Sequence, residues 1–507
     1  MNAITLGEEN LTLEQITEVS KGAQIDLSTG LGFRSRVQAS RIFLDNKINS
    51  GEKVYGVSTG FGDSVTVDVE KDLLHQLPIN ITRFHSCGMG DVFKIPEVRA
   101  IQASRIASLV SGYSGVSLEL LEFMVMQLNQ GIYPRIPKEG SVGASGDLTP
   151  LAYLASTIIG EGQCFYKGEL HHTKKLYDSL KIKPYLFKPK EGLAIMNGTA
   201  VMTALACMAY ERAERLTHLC CINTSIQVLA LLGNPSHYDE ELFLAKPHEG
   251  QLSAARQIAS ALTDYLPDKR FLRLQDRYSL RCAPHIIGVL RDALPMFRRI
   301  IEVELNSAND NPLIVADKEL VLHGGNFYGG HIAFVMDSMK NLVANLADLM
   351  DRQLALIVDP KFNNGLPAGL SGAKGKIKTV NHGFKAVQIA ASAWTAEALK
   401  NTMPASVFSR STECHNQDKV SMGTIAARDC IRVLELTEQV AAAVTLGSVQ
   451  ALELRTESGE LSQLAWGENI SRFVTGIRSF SEKIIEDRGL EEDLRDFLEK
   501  LNSGNLV

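Results

Sequence analysis

Helical periodicity runs through most of this 507-residue chain, and in several places it continues far beyond the length of an ordinary helix. Only 16 prolines are available to interrupt it. The predicted helices cover residues 36–50, 96–112, 117–130, 192–230, 250–264, 282–308, 328–357, 383–402, 418–455 and 469–501. Several exceed the average helix of about 12 residues two- to threefold. Such helices bury their apolar stripes against one another, so the pattern predicts an all-α fold with a long central helical bundle.

Strand patterns are short and few. Residues 163–170 are typical of a hairpin that turns at Lys167-Gly168, and residues 313–322 of a second that turns at Asp317-Lys318. Segments rich in glycine and asparagine separate the long helices, where functional loops on a rigid scaffold are expected, at residues 55–63, 135–150, 271–281, 306–330 and 359–380. We expect an N-terminal domain in residues 1–190 that carries the loop at 140–150. The central long-helix bundle and the C-terminal helices follow in residues 191–507.

Charge and cysteine usage exclude several classes of protein. Lys and Arg number 52 against 58 Asp and Glu, a net charge of −6, which argues against nucleic acid as a partner. The eight cysteines form no C-x-x-C pair, as expected for free thiols in a reducing compartment. The N-terminus lacks a basic and an apolar region of the signal-peptide kind, and the uncharged run 193–210 contains Asn197 and Thr199, so we predict a buried helix there. We therefore expect a cytoplasmic protein without a membrane partner.

Familiar cofactor motifs are missing from the sequence. It contains no G-x-x-x-x-G-K-[ST] phosphate loop, no G-x-G-x-x-G after a strand and no H-E-x-x-H. We expect no nucleotide cofactor and no metal.

The most informative loop is Gly-Ser-Val-Gly-Ala-Ser-Gly-Asp-Leu-Thr-Pro at residues 140–150, which leads directly into an apolar helix. A nucleophile elbow around Ser145 is one interpretation, but Asp147 replaces the last glycine and no strand precedes the loop. A helix start is the second, with Asp147 or Thr149 as the cap and Pro150 at the first helical position.

A third interpretation rests on Ala144-Ser145-Gly146. The amide nitrogen of Gly146 can attack the carbonyl carbon of Ala144, because glycine has no Cβ to block the approach. Loss of water and of the Ser145 hydroxyl then leaves a methylidene-imidazolone, in which the serine carbon is the exocyclic methylidene. The product is a strong electrophile made from the chain itself, and it can make an α-amino group leave.

Further motifs accompany this loop in a fixed order. They are Tyr55–Gly62 (Y-G-x-x-T-G-F-G), Met196–Thr199, Gln275–Pro284, Asn306–Pro312, His323–Phe327 and His415–Asp418. Over roughly residues 12–460 the sequence resembles the aromatic amino acid and histidine ammonia-lyase family, and it is most similar to bacterial tyrosine ammonia-lyases. The resemblance implies a 4-methylidene-imidazole-5-one group formed autocatalytically from Ala144-Ser145-Gly146. It also implies a small amino acid substrate and a homotetramer whose active sites are shared between chains.

The resemblance also implies roles for particular residues. Tyr55 is the expected base, and a phenolate suits that role because the β-proton is too weakly acidic for a carboxylate. Tyr278 is expected to support the electrophile, and Arg281 to grip the substrate carboxylate with its planar fork. Asn197 is expected to polarise the methylidene. Other substrate contacts are expected from Gln275, from Asn326 and Phe327 at a hairpin end, and from Asn416 and Gln417 at a helix start.

Substrate choice is expected to depend on Phe84-His85. Phe-Leu at this pair resembles phenylalanine lyases, His-Leu one group of tyrosine lyases, and Ser-His histidine lyases and some bacterial tyrosine lyases; this chain matches none of them. His85 can bond a polar ring end, and no Glu follows Gln417 as it does in histidine lyases. We predict a tyrosine ammonia-lyase that forms p-coumarate. The alternatives are a histidine or phenylalanine ammonia-lyase, a 2,3-aminomutase with the same prosthetic group, and an inactive helical scaffold with an uncyclised loop.

Overall fold

Helices dominate the computed structural model, which describes residues 3–267, 273–504 and 506. The prediction of an all-α fold with long helices is confirmed. The helices are α1 Leu13–Ser20, α2 Leu31–Asn49, α3 Leu77–His85, α4 Ile95–Leu109, α5 Leu118–Asn129, α6 Leu148–Ile158, α7 Thr173–Leu180, α8 Glu191–Met196, α9 Ala200–Ala230, α10 Glu240–Leu244, α11 Glu249–Ser260, α12 Tyr278–Arg281, α13 Ala283–Leu305, α14 Gly330–Val358, α15 Lys385–Lys400, α16 Gly423–Glu457, α17 Gly467–Arg478 and α18 Glu491–Asn502.

The strands are short and form small separate sheets. They are β1 Ile4–Leu6, β2 Ile25–Leu27, β3 Met89–Val92, β4 Tyr133–Pro134, β5 Pro137–Glu139, β6 Gln163–Tyr166, β7 Glu169–His172, β8 Leu313–Val315 and β9 Leu320–Leu322. Strands β1 and β2 pair in parallel, whereas β3–β5, β4–β6–β7 and β8–β9 are antiparallel. Both predicted hairpins are confirmed. Lys167 (φ 51°) and Gly168 (φ 84°) form the first turn in the left-handed region.

The chain forms two compact units. Unit 1 comprises Met1–Ala209, Arg298–Asp337 and Pro404–Arg428, and unit 2 comprises Tyr210–Phe297, Ser338–Met403 and Asp429–Val507. Helices α9, α13, α14 and α16 each have residues in both units. The division into an N-terminal domain over residues 1–190 and a helical bundle over residues 191–507 stays a prediction.

Two predicted helices are broken. The segment 192–230 forms α8 and α9, because Asn197 leaves the helical region (φ −86°, ψ 97°) and Gly198 lies against Arg105. The segment 469–501 forms α17 and α18. Between these two helices, the Ile484 amide donates to Gln450 Oε1 at 3.1 Å and its carbonyl accepts from Gln450 Nε2 at 2.8 Å. The Gln450 side chain therefore forms the hydrogen bonds that the backbone N–H and C=O of Ile484 would have formed within a continuous helix.

The longest helices have buried residues on every face. Residues 204–207 of α9 in unit 1 are buried in succession, and so are residues 440–444 of α16 in unit 2. Helices buried all round belong to the interior of a large bundle. No helix in the described part of the chain is long and apolar enough to cross a membrane.

Candidate active site

The Ala-Ser-Gly loop lies in unit 1, packed against the break between α8 and α9. Ala144 and Gly146 form an isolated β-bridge with each other, and Gly146 forms another with Gly198. Gly146 has φ +72°, and a Cβ built on it would overlap the Gly198 carbonyl. The position therefore accepts only glycine, and the backbone folds back on itself between the two groups that ring closure would join.

Asp147 fastens this loop to the start of α9. Its carboxylate accepts hydrogen bonds from the amides of Val201 (2.9 Å) and Met202 (3.0 Å) and from the Thr424 hydroxyl. Burial raises the pKa of Asp147 to about 6, although these hydrogen bonds oppose the shift. The helix start predicted at this loop is correct, and Asp147 is the N-cap residue of α6. Its side chain makes no capping bond to α6 and instead accepts from the first turn of α9, and Pro150 is the third residue of α6 rather than the first.

Arg105 holds the segment that carries Asn197. The buried guanidinium donates to the carbonyls of Ala194 and Asn197, the latter at 2.9 Å, and to Asn309 Oδ1 at 3.1 Å. Desolvation lowers the pKa of Arg105 to about 10, so the group stays charged. Asn197 Nδ2 donates to the Asn311 carbonyl at 3.1 Å, while the buried Asn197 Oδ1 has no partner among the described residues. A free buried acceptor beside the loop fits a bound polar group there.

Tyr55 is half-buried, and its hydroxyl oxygen accepts a hydrogen bond from the Gly62 amide at 2.8 Å. Burial raises the pKa of Tyr55 above its ordinary value of 10.0, the Gly62 amide opposes the shift, and the Glu413 carboxylate adds to it. Glu413 accepts from the Asp63 amide at 2.9 Å, and a Cβ on Gly62 would overlap this carboxylate. Glu413 was not among the predicted site residues. Its signal in the sequence is a carboxylate two residues before the His415–Asp418 motif.

Gln417 reaches the central serine of the loop. Its Nε2 lies 3.5 Å from Ser145 Oγ, and its Oε1 accepts from the Thr412 hydroxyl at 2.9 Å. The expectation that Asn416 and Gln417 lie at a helix start is wrong, because α16 begins only at Gly423. Residues 413–415 all have left-handed backbone, which no helix accommodates, and Asn416 is exposed on this turn.

Phe84 and His85 end α3, which packs on α6 and α8, the helices that flank the loop and Asn197. His85 Nδ1 lies 3.0 Å from the Ile81 carbonyl. Since a carbonyl only accepts, Nδ1 carries the proton. Burial lowers the pKa of His85, so the ring is neutral and Nε2 is a hydrogen-bond acceptor. The Phe84 ring centroid is 4.4 Å from that of His85, and Phe84 is 58% exposed.

Asn326 and Phe327 lie in the turn after the β8–β9 hairpin, where Asn326 is exposed and Phe327 half-buried. In the described parts of the chain no hydrogen bond joins either side chain to residues 141–147. The same motif does reach the Tyr55 loop, because the Tyr55 amide lies 3.5 Å from His323 Nε2.

The remaining predicted site residues lie in unit 2. Tyr278 begins α12 and is 71% exposed, and Gln275 is exposed just before it. The Arg281 guanidinium carbon stands 4.6 Å from the centre of the Tyr278 ring, and its Nε donates to the Asp276 carbonyl at 3.0 Å. The structure thus brings Tyr278 and Arg281 together on one short turn.

Known proteins with similar sequences and structures were found for this chain. The family model for aromatic amino acid lyases matches residues 11–479. A histidine ammonia-lyase of Treponema denticola is 35% identical over 99% of this chain and 97% of its own. The tyrosine aminomutase of Streptomyces globisporus has a TM-score of 0.91 and 31% identity over 100% of this chain and 98% of its own. The histidine ammonia-lyase of Trypanosoma cruzi has a TM-score of 0.90 and 30% identity over 100% and 94%.

The fold and the site define a carbon–nitrogen lyase of the helical ammonia-lyase and aminomutase type. The chain belongs to the aromatic amino acid lyase family. The finer prediction of tyrosine as the substrate is not borne out, because these relatives favour the histidine alternative.

Proposed function

We propose that this enzyme eliminates ammonia from an L-amino acid whose ring carries a hydrogen-bond donor, with L-histidine as the first candidate. The observation that carries the proposal is the neutral His85, whose Nε2 offers a lone pair. An imidazole N–H or a phenol O–H would satisfy it, whereas the phenyl ring of phenylalanine would leave a polar atom without a partner. Histidine comes first because the Treponema and Trypanosoma relatives carry the name histidine ammonia-lyase.

L-Tyrosine is the second candidate, and a specific observation favours it. The residue whose side chain reaches Ser145 is the neutral Gln417, and Asp418, not a glutamate, follows it. A carboxylate next to Gln417 would be a good hydrogen-bond acceptor for an imidazole N–H. A phenol does not need such a partner, so the missing glutamate favours tyrosine. One structural neighbour is named a tyrosine aminomutase, so a 2,3-aminomutase stays among the products to be tested.

The loop residues fit the self-formed methylidene-imidazolone. Gly146 lacks the Cβ that would overlap Gly198, and the unpartnered, buried Asn197 Oδ1 is left to accept from the α-amino group of a substrate, because the ring itself carries no N–H or O–H to donate. When formed, the group supplies the electrophile that makes the α-amine a leaving group. Ring closure removes the Ser145 hydroxyl, so Gln417 and Asn197 would lie beside the finished group without a bond through that oxygen.

Tyr55 removes the β-proton in this proposal. Its hydroxyl oxygen already accepts from the Gly62 amide, which stabilises a phenolate. Burial, and to a smaller extent the neighbouring Glu413 carboxylate, act in the opposite sense and raise the pKa of Tyr55. The balance gives a strong base that is mostly protonated at neutral pH.

Arg281 binds the substrate carboxylate, and Tyr278 stands beside it. Both lie on α12, where Tyr278 is largely exposed. We propose a homotetramer in the cytoplasm, in which this exposed turn completes the active site of a neighbouring chain. A shared site would explain why the Tyr278 side chain faces outward.

The test is to incubate the purified protein separately with L-histidine, L-tyrosine and L-phenylalanine and to follow the ultraviolet absorbance of each unsaturated acid. Chromatography of the products for β-amino acids separates lyase from aminomutase. Intact mass provides the control, because ring formation removes two waters and an uncyclised scaffold would show the full mass. Preference for phenylalanine would contradict the role of His85.

A further inference from the structure

Two buried side chains hold the backbone of α12 from outside. The Ser279 carbonyl accepts a hydrogen bond from Gln353 Nε2 at 2.9 Å, and the Leu280 carbonyl accepts one from the Tyr238 hydroxyl at 2.9 Å. Gln353 is 0% and Tyr238 2% exposed. All of these residues belong to unit 2. The two anchors therefore meet successive peptide groups of the turn that carries Tyr278 and Arg281.

The orientation of the Gln353 amide is fixed by its partners. Its Nε2 donates to the Thr224 hydroxyl as well as to Ser279, at 2.9 Å in both cases. The Thr224 hydroxyl uses its own proton on the Cys220 carbonyl at 2.7 Å, so it can only accept from Gln353. A flipped amide would place an oxygen against the Ser279 carbonyl. Gln353 thus donates both of its amide protons, one to Thr224 and one to Ser279.

Tyr238 is an equally definite donor. Burial raises the pKa of its hydroxyl well above the ordinary value, so the proton is present throughout the working range of pH. The Leu280 carbonyl is buried with it. Removing the hydroxyl would leave that buried carbonyl only the Cys282 amide as a donor, and Cys282 is just two residues further along the chain.

A four-residue helix has little to hold it in place. Forming one turn fixes several dihedral angles for very few hydrogen bonds, so isolated turns are unstable. Within α12 and its flanks, the amides of Arg281 and Cys282 donate to the carbonyls of Arg277 and Tyr278 at 3.0 and 2.8 Å. The exposed Tyr278 side chain adds little support of its own. The external anchors supply the support that the turn lacks.

We propose that Gln353 and Tyr238 are positioning residues, which hold α12 so that the Arg281 guanidinium presents its planar fork to the substrate carboxylate. The inference rests on the proposed function, because it gives Arg281 the role of carboxylate ligand. A fork must match the plane of the carboxylate, so a small rotation of the turn weakens binding and tilts the substrate. Neither anchor touches the substrate.

Gln353→Met and Gln227→Met form a matched pair for the test. Methionine keeps the length and bulk of glutamine but cannot donate. Gln227 is also 0% exposed, its Nε2 donates to the Ser448 hydroxyl at 2.9 Å, and it lies in unit 2, but its hydrogen bond goes to α16 rather than to α12. We expect Gln353→Met to raise KM roughly five- to tenfold and to lower kcat, while Gln227→Met leaves both near wild type.

Tyr238→Phe and Tyr265→Phe form the second pair. Each variant removes one buried hydroxyl, but the Tyr265 hydroxyl donates to the Gly233 carbonyl at 3.1 Å, outside α12. We expect only Tyr238→Phe to raise KM. Both pairs are also followed by amide hydrogen exchange of a peptide covering residues 276–286, measured by mass spectrometry. Exchange should be faster in Gln353→Met and Tyr238→Phe than in their controls.

Two results would overturn the inference, and a third concerns the proposed function. If Gln353→Met and Tyr238→Phe match their controls in KM and in hydrogen exchange, then α12 keeps its position without these two hydrogen bonds. Faster exchange with an unchanged KM would show that the anchors stabilise the turn without positioning Arg281. If the wild type eliminates ammonia from no amino acid, the proposed function fails, whereas wild-type turnover with matching variants refutes the positioning role alone.

Discussion

Replacing Gly146 by alanine tests most directly whether the Ala144-Ser145-Gly146 loop requires a glycine. Gly146 has φ +72°, and a Cβ added to it would overlap the carbonyl oxygen of Gly198 and stand 2.9 Å from the Gly198 Cα. Every atom in this contact is backbone, so no side chain can rotate away. The Gly198 carbonyl also accepts the Asp147 amide at 2.7 Å, and a shift of Gly198 would break that bond.

The expected loss of stability has separable parts. Left-handed backbone costs alanine about 1–2 kcal/mol. The overlap adds about 1–3 kcal/mol, as overpacking does elsewhere, and the lost hydrogen bond about 1 kcal/mol. Gly168→Ala is the matched control, because Gly168 has φ +84° with nothing within 4 Å of the added Cβ. Gly168→Ala should lose only the stability that left-handed backbone costs alanine.

The assay combines denaturant unfolding with intact mass. We expect Gly146→Ala to unfold at a clearly lower denaturant concentration than Gly168→Ala and to show the mass of the uncyclised chain. Gly168→Ala should keep the loss of two waters. If Gly146→Ala matches Gly168→Ala in stability and also keeps the mass loss, then neither the close contact with Gly198 nor the need for glycine in ring closure is correct.

The remaining predictions concern side chains of the proposed reaction. Ser145→Ala should retain wild-type helicity by circular dichroism but lose both the two-water mass deficit and turnover; near wild-type turnover would refute the self-formed electrophile. Tyr55→Phe should lower kcat at least roughly 100-fold with a modest change in KM. The phenolate is the active form and the pKa of Tyr55 is raised above 10.0, so kcat/KM should still rise with pH toward 10. Glu413→Gln should move this rise to lower pH, because the Glu413 carboxylate helps to raise the pKa of Tyr55. Identical pH profiles for the wild type and Glu413→Gln would exclude that electrostatic coupling. Arg281→Lys should raise KM and lower kcat, and unchanged kinetics would make Arg281 a structural residue. His85→Leu should reduce the preference for histidine or tyrosine over phenylalanine roughly 5- to 150-fold in kcat/KM, and an unchanged ratio would show that His85 does not contact the ring.

The long helices were predictable because periodicity is a local property. Repeating apolar residues mark a helix wherever it later packs, so most predicted segments match observed helices to within a few residues. The breaks were not predictable in the same way. Asn197–Thr199 interrupts an apolar run because Gly198 must approach Arg105, a residue distant in sequence, and no local pattern records that contact.

The Ala144-Ser145-Gly146 loop could also be identified as a candidate from sequence alone. The proposed ring closure joins residues only two apart in the chain, so it depends on which residue types follow one another. The tertiary structure decided what surrounds that loop. Asp147 is the predicted N-cap residue of α6, but its side chain bonds the start of α9 instead. Glu413, absent from every predicted role, lies at the Tyr55 loop. Buried polar groups take whichever partner the packed backbone brings near, and such partners are chosen by the whole fold rather than by neighbours along the chain.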